Sequence, residues 1–96
     1  MPASLPKNIK GFQNDHAGFF RWLDDHQDGY FINSRRVSKP DYLVLHRSAC
    51  PQFDRSPACH WTKASAKICS SSRTDLEEWA TSEVGGTVTL CGRCFG

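Results

Sequence analysis

The sequence predicts a small α+β fold in which a zinc ion stabilises one mainly antiparallel sheet covered by two helices, in the order α-β-β-β-α-β. Three observations support this prediction. Ninety-six residues, 39% of them apolar, allow one domain with one small core. Two segments have the apolar spacing of amphipathic helices, and shorter segments alternate as strands do. Histidine and cysteine residues occur in pairs at distances typical of metal ligands.

Residues 1–12 are predicted to be a flexible tail, and residues 13–96 a single domain. The tail contains Pro2 and Pro6 and has no hydrophobic period. It also lacks the apolar stretch of a secretory signal, and no apolar run in the chain approaches the roughly 18 residues of a membrane span. We therefore expect a cytoplasmic monomer without a membrane partner.

The first helix is predicted to begin at Asn14 as its N-cap and to end at the pair Asp28-Gly29, where glycine can adopt the left-handed conformation. Its expected inner face has the spacing i, i+3, i+4, i+7. That face consists of His16, Phe19, Phe20 and Leu23.

Two strands are predicted to follow as a hairpin with a long basic loop. Residues 30–33 are aromatic and β-branched, and residues 41–47 alternate. Tyr42, Val44 and His46 are expected on one face and Leu43, Leu45 and Arg47 on the other. Both faces are largely apolar, which favours a central strand and places Tyr42 in the core.

A third strand, a second helix and a fourth strand are predicted for the rest of the chain. The strands cover residues 67–70 and 87–90, and Thr74 with Glu77 forms a capping box for the helix. Its inner face is expected to contain Leu76, Trp79, Ala80 and Val84, and Gly85-Gly86 ends it. The third and fourth strands are expected to be parallel neighbours across this helix.

The cysteines point to a metal site. An odd count of five, with no export signal, argues against a disulfide scaffold. His46 and Cys50 have three residues between them, Cys91 and Cys94 have two, and each pair leaves the end of a predicted strand. If these ends lie side by side, the four groups form a tetrahedral site for Zn²⁺, closed and therefore structural. Cys69 is the main rival ligand, and the adjacent residues Cys59 and His60 are a second alternative.

Catalytic interpretations are weaker. A redox role for the Cys91-x-x-Cys94 pair needs a helix after the first cysteine, and no helix is expected from the two residues that follow Cys94. No glycine-rich or nucleophile motif accompanies the histidines. The carboxylates Asp24, Asp25 and Asp28 are interpreted as a solvated helix end.

The charge is unevenly distributed along the chain. Net charge is −1 over residues 1–30, +6 over residues 31–73 and −3 over residues 74–96. Such asymmetry is typical of proteins that bind polyanions, and Trp61 could stack on bases. The predicted nucleic-acid contacts are Arg35, Arg36, Lys39, Arg47, Trp61, Lys63 and Lys67. The alternatives are a zinc-stabilised protein-interaction module and, less favoured, a small hydrolase or nuclease.

Five motifs together resemble a small uncharacterised bacterial domain that occurs alone or attached to restriction-type endonucleases. They are Gly29-Tyr-Phe-Ile-Asn33, Leu45-His-Arg-Ser-Ala-Cys50, Lys67-Ile-Cys69, Leu76-Glu-Glu-Trp79 and Cys91-Gly-Arg-Cys94. The resemblance implies that His46, Cys50 and the final cysteine pair share a site, and it keeps Cys69 as a candidate ligand. It also implies a role connected with DNA.

Overall fold

The computed structural model describes residues 8–35, 37–49 and 65–95, and for Arg93 and Cys94 the backbone only. Within these residues the chain forms five strands and three α-helices, and a π-helical turn, Ala80–Val84, continues the second helix. The elements are β1 (Lys10–Phe12), α1 (His16–Asp25), β2 (Tyr30–Arg35), β3 (Leu43–Arg47), β4 (Ser65–Ser70), α2 (Arg73–Trp79), β5 (Thr89–Leu90) and α3 (Gly92–Phe95). None of the described helices is long and apolar enough to cross a membrane.

The prediction of a small α+β fold with one mainly antiparallel sheet and two covering helices is confirmed, but the predicted element order is wrong. The sheet has the order β1-β4-β2-β3-β5, with β3 and β5 parallel and the other pairs antiparallel. The expected hairpin of β2 and β3 is present. β4 and β5 run in the same direction, yet they are not neighbours, because the hairpin lies between them. The parallel partner of the last strand is β3, which brings the end of the chain beside the end of the hairpin.

The predicted tail is in part an edge strand. Ile9 is buried, and Lys10–Phe12 pair with β4 in the register Lys10↔Cys69. The prediction of a flexible tail is therefore wrong for residues 9–12, and residues 1–7 lie outside the described chain. A strand of three residues is too short to show a period, and its place is decided by a partner more than fifty residues away.

The sheet separates two apolar clusters. On one face, α2 packs Leu76 and Trp79 against a cluster that includes Ile32, Leu45 and Ile68. On the other face, α1 contributes Phe19, Trp22 and Leu23 to a second cluster, which also contains Phe31 of β2 and Cys69 of β4. The alternation predicted for β3 is confirmed, because Leu43 and Leu45 lie in the first cluster and His46 stacks on Phe31 of the second.

Several predicted boundaries are wrong by a few residues. Asp15 is the N-cap of α1, where it accepts a hydrogen bond from Gly18 N, and Asn14 has a positive φ of 56°. Ser72, whose hydroxyl accepts from Asp75 N, replaces Thr74 as the cap of α2. In both cases a second capping residue stands close by, and the strand before the helix selects between them. Gly85 ends the π-helical turn as expected, with φ 82°.

Tyr42 is not a core residue. It is 40% exposed just before β3, and its hydroxyl accepts a hydrogen bond from the Asn33 side chain at 3.1 Å. β3 begins at Leu43 rather than at Asp41, so the alternation does not extend back to Tyr42.

Candidate metal centre

His46 lies at the end of β3 on the face that α1 covers. It is opposite Phe31 in the register of the hairpin, and the two rings stack with centroids 4.9 Å apart and an angle of 19° between their planes. Its side chain is almost fully buried. The ring orientation is therefore fixed by packing, which is what a ligand on a rigid strand needs.

The environment keeps this imidazole neutral. Burial, followed by the positive charge of Lys67, lowers the pKa of His46 to about 4. At neutral pH the ring can therefore coordinate a metal through a nitrogen lone pair without first losing a proton.

Cys91 lies beside His46. β3 and β5 are parallel with Leu45 opposite Leu90, so the next residues in register are His46 and Cys91. The N–H of Cys91 donates to the carbonyl of Leu45 at 3.0 Å, which extends the pairing beyond β5. Neighbouring strands lie about 5 Å apart, so the two α-carbons are close. Cys91 is buried as well.

The other two predicted ligands cannot be located. Cys50 lies outside the described residues, and so does the side chain of Cys94. Cys94 is in the single turn of α3, where the N–H of Phe95 donates to the carbonyl of Cys91 at 3.0 Å. In the part of the chain that the structure describes, no three His, Cys, Asp or Glu side chains are grouped as a metal site. The structure thus brings together His46 and Cys91.

The expectation that no helix follows Cys91 is wrong. α3 begins at Gly92, directly after it. A redox role for the Cys91-x-x-Cys94 pair can therefore no longer be rejected because a helix is missing. One turn nevertheless supplies little of the dipole that lowers a thiol pKa in redox proteins.

The rival ligand Cys69 lies in the apolar cluster under α1. In the sheet register, Phe31 separates it from His46, so two strand spacings of roughly 5 Å each lie between them. Cys69 is fully buried among Phe19, Trp22 and Phe31, and burial raises the pKa of its thiol well above the ordinary value. This environment favours a small apolar side chain over a metal ligand.

Lys67, predicted as a nucleic-acid contact, is buried rather than exposed on the surface. The side chain is 1% exposed, and its amine donates to Asn33 Oδ1 at 2.7 Å and to Ser65 Oγ at 2.6 Å. Burial lowers the pKa of Lys67 to about 8. The sequence did not reveal this, because a lysine in a short strand is usually on the solvent side.

The remaining predicted contacts do not form one face among the described residues. Arg35 and Lys39 are exposed near the hairpin connection, where Arg35 forms an ion pair with Asp41 at 3.0 Å. That pair lowers the pKa of Asp41, chiefly through the hydrogen bond. Arg47 is at the opposite end of β3 and on the other face of the sheet. Arg36, Trp61 and Lys63 lie outside the described residues.

One group of functional interest was missed by the sequence analysis. Tyr30, Arg47, Arg73 and Phe95 meet at the end of the sheet next to α3, where the guanidinium carbons of Arg47 and Arg73 lie 4.6 and 5.2 Å from the centroid of the Phe95 ring. Arg73 begins α2, and Phe95 comes directly after the Cys-x-x-Cys pair. No spacing signal joins residues from four separate elements.

Comparison of the sequence with models of protein families, with curated proteins and with solved structures finds no match.

Proposed function

We propose that this chain is a non-catalytic, zinc-stabilised module that binds nucleic acid. The observation that carries the metal part is the position of His46 and Cys91 on neighbouring ends of parallel strands, both buried. An imidazole and a thiol at adjacent positions of neighbouring strands are half of the Cys₃His set that suits Zn²⁺. The other half is assigned to Cys50 and Cys94, the residues that stand four and three positions further along.

The chain lengths are compatible with this assignment. Residues three apart in a helical turn have β-carbons about 5–6 Å apart, so two thiolates at positions 91 and 94 can bind one ion. Cys50 follows Ser48, whose N–H donates to the carbonyl of Gly29 at 2.9 Å, which fixes the chain near the end of β3. The three residues between His46 and Cys50 allow both side chains to reach the same ion. Such an ion would connect β3 to α3.

The metal proposal is tested by measuring the metal content of protein that has been purified without chelators. Native mass spectrometry should show one zinc ion per chain, and X-ray absorption should show three sulfur ligands and one nitrogen ligand. Cys91→Ser should reduce the zinc content, whereas Cys69→Ala, the matched buried thiol outside the site, should retain it. A folded wild-type protein with no zinc would contradict the proposal. Retention by Cys91→Ser together with loss by Cys69→Ala would move the site to Cys69.

The nucleic-acid part is supported by the net charge of +6 over residues 31–73. One observation favours the alternative of a protein-interaction module. Val37 and Tyr42, in the connection between β2 and β3, are large apolar side chains that are 67% and 40% exposed, which would suit a contact with a protein partner. Binding of nucleic acid that weakens steeply with salt supports the first function, and failure to bind it at low salt supports the second.

A further inference from the structure

Two arginines share one aromatic ring at the end of the sheet. The guanidinium carbons of Arg47 and Arg73 lie 4.6 and 5.2 Å from the centroid of Phe95, so the two charges are within about 10 Å of each other. Arg47 also lies 5.8 Å from the Tyr30 ring, which is almost parallel to Phe95 at 9° and 6.3 Å. We call these four residues the arginine–aromatic cluster.

The rings restrict the movement of both guanidinium groups. A guanidinium that stacks on an aromatic ring loses less conformational entropy when its N–H groups bind a partner. Arg47 belongs to the exposed residues, and the Arg73 side chain is 39% exposed. The contact of Arg73 with Glu77 runs through Nε at 3.3 Å, so it does not engage the terminal amino groups of the guanidinium. Both arginines can therefore meet a ligand from solution.

We infer that the arginine–aromatic cluster is the surface that binds single-stranded nucleic acid, with Arg47 and Arg73 on neighbouring phosphates. This inference rests on the proposed nucleic-acid function and names its contact surface. Planar guanidinium groups match phosphate oxygens in a bidentate manner, and the guanidinium planes that cover the rings can themselves carry a stacked base. An acidic peptide would use the charges but has no base to stack on the guanidinium planes, so the combination favours a single strand.

The surface is also mechanically linked to the proposed metal site. Arg47 and Phe95 directly follow His46 and Cys94 in the chain. An ion bound by His46 and Cys94 would fix the backbone next to it, and that backbone carries Arg47 and Phe95. The metal would therefore hold the cluster in place without contacting the nucleic acid.

The test measures the anisotropy of a labelled single-stranded DNA at several salt concentrations, with the zinc content determined for every variant. In the double variant Arg47→Gln/Arg73→Gln, we expect affinity at low salt to fall about tenfold and the slope of log affinity against log salt to decrease by about 1.4, which is two phosphate contacts. Phe95→Leu should reduce affinity about fivefold, because both guanidinium groups lose the ring that holds them in place. Arg21→Gln, which removes an exposed charge from α1 on the other face, should change it by less than about twofold.

Each outcome separates the two proposals. If wild-type protein does not bind the strand at low salt, the proposed function and this inference both fail. If it binds, but only Arg36→Gln and Lys39→Gln weaken it, this inference alone is wrong and the hairpin connection is the contact surface. If polyglutamate competes as well as DNA and depends equally on Arg47 and Arg73, the surface serves an acidic peptide. Arginine effects that persist in a protein without zinc would remove only the metal proposal.

Discussion

The two ends of strand β3 differ in the surroundings of the charged side chains that lie near them. Near its beginning, Arg35 and Asp41 form a pair that is more than half exposed, next to the exposed side chains of Val37 and Tyr42. At its end, His46 is buried against Phe31, and Arg47 lies over the ring of Phe95. Two arginines of the same basic segment thus have different partners, because Arg35 pairs with a carboxylate and Arg47 lies over an aromatic ring. A count of charges along the chain does not distinguish these cases.

The largest expected effect is the response of the two ends to metal removal. When a strong chelator is added to zinc-loaded protein, the amide protons of Cys91 and Phe95 should lose most of their protection against hydrogen exchange. The amide protons of β2 that face β4 should keep their protection, because apolar clusters cover this part of the sheet on both faces. Exchange mass spectrometry with and without added zinc measures this. Equal loss of protection throughout the sheet would show that the metal supports the whole domain rather than one end of it.

The second effect concerns Lys67. This residue lies in β4, level with the middle of β3, because Asn33 of β2 is paired with Val44 on one side and with Lys67 on the other. Its amine has a pKa of about 8 in the folded protein, against an ordinary value of 10.5. Between these values the unfolded chain binds one more proton, so the contribution of Lys67 to the free energy of unfolding rises with pH, by up to about 3 kcal/mol. Urea denaturation at pH 7 and pH 10.5 should show that the free energy of unfolding of the wild type increases by that amount relative to that of Lys67→Met. Parallel pH dependence of the two proteins would show that the amine is not shielded from water.

A third comparison exchanges one apolar side chain at each end. Phe95→Ala removes a half-buried ring that packs on the first core cluster and should lower the free energy of unfolding by about 2 kcal/mol. Val37→Ala changes a side chain that is 67% exposed and should stay within about 0.5 kcal/mol of wild type. Both are measured by urea denaturation of zinc-saturated protein. A loss at Val37 as large as that at Phe95 would show that the connection between β2 and β3 packs against another part of the chain.

The smallest effect is expected at Arg35. Its charge is already opposed by Asp41 and both side chains are solvated, so Arg35→Gln should leave stability unchanged within error. Its effect on DNA affinity should be less than about twofold, whereas Asp41→Asn should slightly increase affinity by releasing the cation. Salt-dependent anisotropy measures both. A strong loss of affinity in Arg35→Gln would restore the hairpin connection as a contact surface.

Local sequence patterns located most of the elements and not their partners. The inner face of α2 was predicted from Leu76, Trp79 and Ala80, and its end from Gly85, because helical period and left-handed glycine are properties of neighbouring residues. Strand β1 was missed, and the partner of β5 was wrong, because strand pairing joins residues that are distant in the chain. The candidate site was found to the same extent. His46 and Cys91 were identified by their chemistry and spacing, and their proximity follows from the β3–β5 pairing.

The burial of single polar residues was the least predictable feature. Lys67 was expected to be exposed and Tyr42 to be buried. Instead, Lys67 is enclosed and donates to Asn33 and Ser65, and Tyr42 is exposed. The period of a strand tells which face of the sheet a side chain occupies, but not what covers that face. The phosphate contacts predicted from charge include the buried Lys67 for this reason.

By itself, the sequence determined the class of fold, most of the segments that are helix or strand, and the residue types able to hold a metal, since each depends on composition or on spacing over a few residues. Only the tertiary structure decided that β5 lies beside β3, that Lys67 is enclosed, and that Arg47, Arg73 and Phe95 meet. Those contacts arise from the order in which the strands pair, and that order is set by how well whole faces pack together rather than by any local pattern.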